Sequence, residues 1–171
     1  MIVVLDIDGT LANNDHRAHL VDRKEDDARP KDWQAFLAPH LVAKDVVIEG
    51  AQRALEHFQK LNYKIMFLTG RNESLRETTA QWIFEKLGIT VNDDTLLMRG
   101  AGNMMTAAAY KRESAQTIKS QSPMETFVFI DDDKYSWAGY SDIGIVLRAP
   151  QCWETIFPLN TEAEPVDVWR K

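Results

Sequence analysis

The stretch "VVLDIDGTLANND", residues 3–15, decides the fold, because an apolar run rich in β-branched residues ends in two aspartates one residue apart. Such a run, bounded by Gly9, is typical of a strand that is buried on both faces of a parallel sheet. Asp6 and Asp8 then lie where the strand ends, and two neighbouring carboxylates there repel each other and lose hydration. The pair therefore predicts a cation and a reaction that needs two acids.

The rest of the chain repeats this pattern of apolar runs with helical segments between them. Further strands are predicted at residues 63–70, 95–100, 125–133 and 142–150. Helical spacing of apolar residues predicts helices within residues 48–62, 72–88 and 106–120. Strands that alternate with helices pair in parallel through right-handed crossovers. The predicted fold class is α/β, with a Rossmann-like open parallel sheet flanked by helices.

One stretch near the start of the chain departs from this alternation. Residues 12–45 are highly charged and are interrupted by Pro30 and Pro39, so we predict a small insertion after the first strand that acts as a minimal cap. Residues 153–171 are predicted to form a polar tail. The whole chain, residues 1–171, is expected to be one domain.

Composition and charge exclude some classes of function. A net charge of −6 argues against broad electrostatic binding to nucleic acid. The first apolar run is broken by Asp6, too early for a signal peptide or a membrane span. A single cysteine, Cys152, cannot form an internal disulfide, which fits a reducing compartment. We predict a cytoplasmic protein with no membrane partner.

The position of the acidic residues at the strand ends indicates a ligand-binding site. In open parallel sheets, ligands bind at the carboxyl ends of the strands, where Asp6, Asp8, Thr69 and the run Asp131–Asp133 are expected to meet. Oxygen donors favour a hard cation, and Mg²⁺ shares its coordination readily with a phosphate. The sequence therefore predicts a Mg²⁺ site that serves phosphate chemistry.

Two carboxylates allow a division of labour in such chemistry. One aspartate can attack phosphorus and form an aspartyl-phosphate, while a second carboxyl protonates the leaving group and later activates water. A hydroxyl such as Thr69 and a lysine would hold the transferring oxygens. Three lysines precede or follow the last acidic strand and are candidates for this position: Lys111, Lys119 and Lys134.

Four motifs resemble those of the haloacid-dehalogenase (HAD) superfamily of phosphatases: "DIDGT" (6–10), "LTGR" (68–71), a lysine before the last acidic strand, and "IDDD" (130–133). The resemblance implies that Asp6 is the nucleophile and a metal ligand, and that Asp8 is the general acid and base, with its backbone carbonyl also on Mg²⁺. It implies further that Asp131 and Asp132 hold the metal. Thr69 and Lys111 would bind the phosphoryl group; Lys111 is preferred because its distance from Asp131 resembles that in nucleic-acid end-healing relatives.

A closer resemblance is to the phosphatase domain of polynucleotide kinase/3′-phosphatases and to related stand-alone phage-type proteins, through segments such as "PKDWQAFL" and "YKIMFLTGRNESLRETTAQW". It implies a nucleotidic substrate, either the 3′ end of a nucleic acid or a small phosphorylated nucleotide. No GxxxxGK[ST] motif occurs, so no kinase half is expected. The relatives commonly read "DDR" where this chain has "DDD" at 131–133. The substrate-binding residues expected are Gly9, Thr10, Gly70, Arg71 and Arg99.

Other interpretations stay open at this stage. The protein could be a HAD phosphatase for another small metabolite, a non-catalytic binding protein of that fold, or a receiver-like signalling module. In receiver domains, however, the paired acids end the first strand and the phosphoacceptor ends a central one, the reverse of the order here. In the insertion, Trp33 and Phe36 are predicted to anchor the cap, with stacking on a nucleobase as the alternative.

Overall fold

The computed structural model describes residues 1–22, 31–150 and 152–153. The elements, in chain order, are β1 (Ile2–Leu5), β2 (Ala12–Asn13), α1 (Asp15–Ala18), α2 (Trp33–Phe36), α3 (Pro39–Val42), β3 (Val46–Val47), α4 (Ala51–Lys60), β4 (Lys64–Asn72), α5 (Arg76–Leu87), β5 (Leu96–Arg99), α6 (Ala107–Gln121), β6 (Phe127–Asp131), α7 (Lys134–Tyr140) and β7 (Ile145–Arg148).

A parallel sheet of five strands organises the chain, in the order β5-β4-β1-β6-β7. The predicted strands are confirmed, with ends that differ by one to three residues. β1 is central, and all of its residues are buried, as its apolar and β-branched composition predicts. Its neighbours β4 and β6 carry the other two motif-bearing strand ends, so the sheet order brings the three ends side by side.

Helices cover both faces of the sheet. Alternate residues of β1 point to opposite faces, so Val3 packs in one core with residues of α4 and α5, whereas Val4 packs in a second core with residues of α6 and α7. The α/β fold with flanking helices is therefore confirmed. Helix α7 was not predicted, because its seven residues, "KYSWAGY", show no sustained apolar periodicity.

The helix that follows β4, α5, has recognisable signals at both of its ends. The Asn72 side chain accepts a hydrogen bond from the Ser74 amide and begins a short 3-10 turn, Glu73–Leu75, that leads into α5. The helix ends at Leu87, and Gly88 follows with a φ of 69°, a left-handed conformation that favours glycine.

The insertion is joined to the body by an antiparallel ribbon. Ala12 and Asn13 of β2 pair with Val47 and Val46 of β3, so the chain leaves and re-enters the sheet domain at neighbouring points. Helices α1, α2 and α3 lie between these strands. Residues 23–30 of the predicted cap lie outside the described residues.

The last described residues return to the first strand. Trp153, which the sequence prediction counted with the polar tail, is buried, and its indole Nε1 donates to the Thr10 carbonyl at 2.9 Å. Residues 154–171 lie outside the described part of the chain. Within the described part, every helix is too short or too polar to cross a membrane.

Candidate active site

The carboxyl ends of three adjacent strands bring most of the predicted site residues together. Asp6 and Asp8 follow β1, Thr69 lies in β4, and Asp131 ends β6. A cavity of about 710 Å³ opens at this edge, between the sheet and helix α2 of the insertion. Its walls include Asp6, Asp8, Trp33, Phe36, Gly70, Arg71, Arg99, Lys111 and Asp132.

Three carboxylates and one ammonium group form what we call the acidic cluster: Asp6, Asp131, Asp132 and Lys111. Lys111 is buried on α6, and its Nζ lies 3.0 Å from Asp6 Oδ1 and 2.8 Å from Asp131 Oδ2. The other two candidate lysines lie elsewhere: Lys119 Nζ donates to the Pro123 and Glu125 carbonyls, and Lys134 Nζ lies over the Tyr135 ring. Lys111 is therefore the candidate that contacts the motif aspartates.

The pKa values in the acidic cluster reflect burial and unbalanced negative charge. Burial raises the pKa of Asp6 well above its ordinary value; Lys111 opposes this effect, while Asp131 and Asp132 add to it. Asp132 is exposed on one side, but the protein around its carboxyl still desolvates it, and this desolvation, followed by repulsion from Asp131, raises the pKa of Asp132 to about 6. For Lys111, burial alone would lower the pKa, but Asp6 and Asp131 outweigh it and raise the pKa, so the ammonium stays charged.

The donor set of the acidic cluster fits a divalent cation. Asp6, Asp131 and Asp132 each offer a carboxylate oxygen, and these three atoms lie within 4.8 Å of one another. Carboxylate oxygens are hard ligands that suit Mg²⁺. A cation bound here would offset the desolvation and the mutual repulsion that raise the pKa values of Asp6 and Asp132. The residues present therefore fit a divalent metal ion.

Asp131 is held by more contacts than the motif alone predicts. Its Oδ1 accepts the Asp133 amide at 2.9 Å, and its Oδ2 accepts the Tyr140 hydroxyl at 3.1 Å besides Lys111. Burial and then the charge of Asp131 raise the pKa of Tyr140, so its hydroxyl keeps the proton that it donates. Tyr140 comes from α7, the helix that sequence reasoning missed.

Gly9 and Thr10 contact Asp132. Gly9 has a φ of 77°, and a Cβ atom on it would overlap the Asp132 carboxylate, so the turn needs glycine for its conformation and for space. Thr10 is buried, and its hydroxyl lies 3.4 Å from Asp132 Oδ1. Both were predicted to bind substrate; the structure places them beside the acidic cluster, where they shape the position of Asp132.

A second group of charges adjoins the first; we call Arg17, Asp45, Arg71 and Asp8 the arginine cluster. Arg71 donates from Nε to Asp8 Oδ2 and from Nη2 to Asp8 Oδ1, both at 2.8 Å. Arg17 donates from Nη2 to Asp8 Oδ1 at 2.5 Å and, from Nε and Nη2, to both oxygens of Asp45 at 2.8 and 2.6 Å. Arg71 Nη2 also reaches Asp45 Oδ2 at 2.9 Å. Two guanidiniums thus share two carboxylates.

The arginine cluster keeps Asp8 ionised. Burial alone would raise the pKa of Asp8, but the charges and hydrogen bonds of Arg71 and Arg17 outweigh burial and hold that pKa well below its usual range. The backbone carbonyl of Asp45 also accepts the Trp82 indole at 2.8 Å, which ties the cluster to α5. Sequence reasoning missed Arg17 and Asp45, which lie among many charged residues in the insertion that resemble a solvated surface.

Thr69 and Gly70 lie near the end of β4, which continues to Asn72, two residues beyond the predicted end of the strand. Thr69 is buried, and its Oγ1 accepts the Arg71 amide at 3.2 Å, so the hydroxyl proton can point elsewhere. A Cβ atom on Gly70 would lie 2.8 Å from the Ala107 Cβ, so glycine lets the start of α6 approach the strand closely. Because Lys111 is one turn further along α6, this approach helps to bring its side chain to Asp6.

Comparison with known families agrees with the motifs. Residues 1–132 match the family described as HAD superfamily, subfamily IIIB (acid phosphatase). No curated protein matches the sequence significantly.

Solved structures share the fold at low sequence identity. The chain is 18% identical to a protein of the Pnkp1/Rnl/Hen1 complex, with a TM-score of 0.60, covering 86% of this chain and 44% of that one. It thus spans less than half the length of that protein. The class C acid phosphatase from Bacillus anthracis is 16% identical, with a TM-score of 0.59, covering 95% of this chain and 73% of that one. A haloacid dehalogenase-like hydrolase from Streptococcus pneumoniae is also 16% identical, with a TM-score of 0.57, covering 86% and 83%.

Proposed function

The chain belongs to the HAD superfamily, subfamily IIIB, and is a phosphatase of that family; from this premise we propose that it hydrolyses a nucleotidic phosphomonoester with Mg²⁺, through an aspartyl-phosphate on Asp6. The observation that carries the proposal is the contact of Lys111 with Asp6 and Asp131 in a cluster that keeps an excess of negative charge. Mg²⁺ bound by Asp6, Asp131, Asp132 and the Asp8 backbone carbonyl would neutralise that excess and the phosphoryl oxygens.

In the first step, a carboxylate oxygen of Asp6 attacks phosphorus, and the bond from phosphorus to the ester oxygen breaks. Lys111 supports this role of Asp6, because its ammonium group orients the carboxylate and draws the phosphoryl oxygens toward it. The Thr69 hydroxyl is available to donate to the same oxygens. The leaving oxygen takes a proton from Asp8, which is ionised in the structure and takes up that proton from solvent when the arriving substrate displaces Arg71.

In the second step, water attacks the phosphorus of the aspartyl-phosphate, Asp8 takes a proton from that water, and the bond from phosphorus to Asp6 breaks. Asp6 and inorganic phosphate are regenerated. Both oxygens of Asp8 accept hydrogen bonds from arginines in the structure. We infer that the arriving phosphate competes for Arg71, which lines the cavity, and so frees Asp8 to carry a proton.

The proposed substrate class combines two lines of support. The segments "PKDWQAFL" and "YKIMFLTGRNESLRETTAQW" resemble 3′-phosphatases, and a protein of similar fold belongs to the Pnkp1/Rnl/Hen1 complex. The family match is to acid phosphatases. A phosphate ester of a nucleotide, at a nucleic-acid 3′ end or in a small nucleotide, satisfies both.

A substrate panel with Mg²⁺ tests the proposal. It compares oligonucleotides phosphorylated at the 3′ or the 5′ end, 3′- and 5′-mononucleotides, and sugar phosphates, with p-nitrophenyl phosphate as a general substrate. We expect the highest kcat/KM on a nucleotidic 3′-phosphate. A preference for sugar phosphates over every nucleotide would overturn the substrate class but not the phosphatase activity.

The role of Asp8 has its own test. Asp8→Asn is expected to reduce hydrolysis of alkyl phosphates much more than that of p-nitrophenyl phosphate, because p-nitrophenolate leaves without a proton. Asp8→Glu, which keeps the carboxylate, serves as the comparison variant. Equal losses on both substrates in Asp8→Asn would contradict the acid role.

A further inference from the structure

Arg99, at the end of β5, carries a positive charge with no acidic partner among the described residues. Its Nη1 donates to the Met105 carbonyl at 2.9 Å. Its Nε is buried and has no hydrogen-bond partner. A buried donor without an acceptor is costly, so Arg99 gains free energy if its side chain turns toward an acceptor that a ligand supplies in the cavity. Arg71, in the same cavity wall, differs because it already pairs with two carboxylates, so a phosphate has to compete with them for it.

Arg99 stands between two cavities. It lines the active-site cavity and also a second one of about 590 Å³, which we call the side cavity. Trp33 and Leu37 of the insertion line both cavities as well, so the two are neighbours across one wall. Each volume is in the range of about 300–1,000 Å³ that small-molecule sites occupy.

The side cavity has the chemistry of a nucleoside site with one anion contact. Arg99 is the one charged residue in its described lining, and no carboxylate repels an anion there. Gln34, Asn72 and Ser74 offer hydrogen bonds, while Trp33, 53% exposed, presents an aromatic surface. Nucleobases stack on such rings with little regard to sequence.

Resting on the function proposed above, we propose that Arg99 binds a second phosphate of the substrate, the one on the 5′ side of the nucleotide whose 3′-phosphate is hydrolysed. That group is a phosphodiester in an oligonucleotide and a phosphomonoester in a nucleoside 3′,5′-bisphosphate. In an oligonucleotide, the preceding nucleoside occupies the side cavity beside Trp33. A footprint of two nucleotides also suits a chain of net charge −6, which argues against broad electrostatic binding to nucleic acid.

Three substrates separate these contacts: a nucleoside 3′-phosphate, the matching 3′,5′-bisphosphate, and a dinucleotide that ends in the same 3′-phosphate. The unmodified protein is expected to have a KM at least about tenfold lower for the last two than for the first, as a charge-assisted contact provides. A further decrease in KM from the bisphosphate to the dinucleotide would show that the preceding nucleoside binds in the side cavity. Equal KM values for the bisphosphate and the dinucleotide would remove the side cavity from the proposal.

Arg99→Gln tests the cation itself, with Arg112→Gln as the control because Arg112 is exposed and pairs with Asp142 at 3.5 Å on the surface. In Arg99→Gln, the loss of kcat/KM on the bisphosphate and the dinucleotide is expected to exceed that on the 3′-phosphate by about tenfold. Trp33→Ala is expected to weaken the dinucleotide alone. Arg112→Gln should change none of the three.

Binding provides a second readout that does not depend on turnover. In an Asp6→Asn background, the Kd for the dinucleotide is expected to rise about tenfold on Arg99→Gln, and the slope of log K against log salt to fall by about one. Equal losses on all three substrates, or no change in Kd, would overturn the role of Arg99 and leave the proposed function intact. Hydrolysis of p-nitrophenyl phosphate with none of the three nucleotides hydrolysed would overturn both.

Discussion

The acidic cluster and the arginine cluster lie at the same edge of one sheet but differ in charge balance. In the acidic cluster, three carboxylates face one ammonium group. In the arginine cluster, two carboxylates face two guanidiniums through short contacts. In the balanced cluster every charge has a partner, and these pairs hold the insertion to the sheet. The unbalanced cluster lacks positive charge, and that deficit marks where a metal ion and a phosphate would bind.

The largest effect expected is on catalysis in the acidic cluster. Asp6→Asn keeps the shape of the side chain but removes its nucleophilic charge, so kcat/KM with Mg²⁺ on p-nitrophenyl phosphate should fall by at least about a thousandfold. Asp142→Asn, an exposed aspartate that contacts Arg112, is the matched control and should be neutral. Undiminished hydrolysis in Asp6→Asn would discard the assigned nucleophile.

A substitution in the arginine cluster is expected to lower the stability of the fold. Arg17→Met removes one guanidinium and leaves Asp45 buried with fewer partners, so the free energy of unfolding should fall by about 3–5 kcal/mol. Chemical denaturation in the presence and absence of Mg²⁺ measures this, and the loss should be the same in both. Arg112→Met, which breaks an exposed pair, should cost about 0–1 kcal/mol. A loss in Arg17→Met that Mg²⁺ reverses would erase the distinction between the clusters.

Metal binding should depend on pH through the acidic cluster. Raised pKa values in the folded state mean that Asp6 and Asp132 favour folding when protonated, so their contribution to stability is lost as pH rises through the folded pKa, about 6 for Asp132. Mg²⁺ restores that loss only where the carboxyls are ionised. The Mg²⁺ concentration is fixed at about a hundredfold above the Kd measured at pH 7.5. Mg²⁺ should then raise Tm by about 5–10 °C at pH 7.5 and much less at pH 5.

Asp132→Asn sharpens the same measurement. Without metal, the Asp132→Asn substitution should raise Tm at pH 7.5, because it removes a charge that repels its neighbours. With metal, the increase in Tm that Mg²⁺ causes should be smaller than in the unmodified protein. Thermal unfolding with and without EDTA distinguishes these effects. A Tm increase with Mg²⁺ that is equal at both pH values, or unchanged in Asp132→Asn, would argue that the cation binds elsewhere.

The smallest effect concerns the contact that orients Asp131. Tyr140→Phe removes the hydroxyl that donates to Asp131 Oδ2, so Mg²⁺ affinity, measured by calorimetry, should weaken by about tenfold while the fold is kept. Tyr135→Phe is the matched control, because Tyr135 is on the same helix and is 70% exposed. Equal affinities in the two variants would mean that Lys111 and the Asp133 amide orient Asp131 without the tyrosine.

The sequence predicted what depends on strand ends and missed what depends on tertiary contacts. Asp6, Thr69 and Asp131 follow apolar runs, and parallel pairing brings such ends to one edge, so their proximity could be foreseen. Arg17 and Asp45 are 28 residues apart in an irregular insertion, and no periodicity links them. Tyr140 lies on α7, a short helix that the spacing of its apolar residues does not predict. Arg71 was expected at the substrate and is found between Asp8 and Asp45, a partnership that only the folded chain reveals.

The anchoring of Trp153 to the Thr10 carbonyl bears on when the site is completed during synthesis. The loop that carries Asp8 and Thr10 directly follows the first strand, yet the indole that donates to the Thr10 carbonyl is added 143 residues later. A ribosome must therefore translate all five strands of the sheet before this loop receives the indole donor. Emergence of Trp153, rather than of the first strand, therefore marks the moment at which the turn that carries Asp8 gains this hydrogen bond.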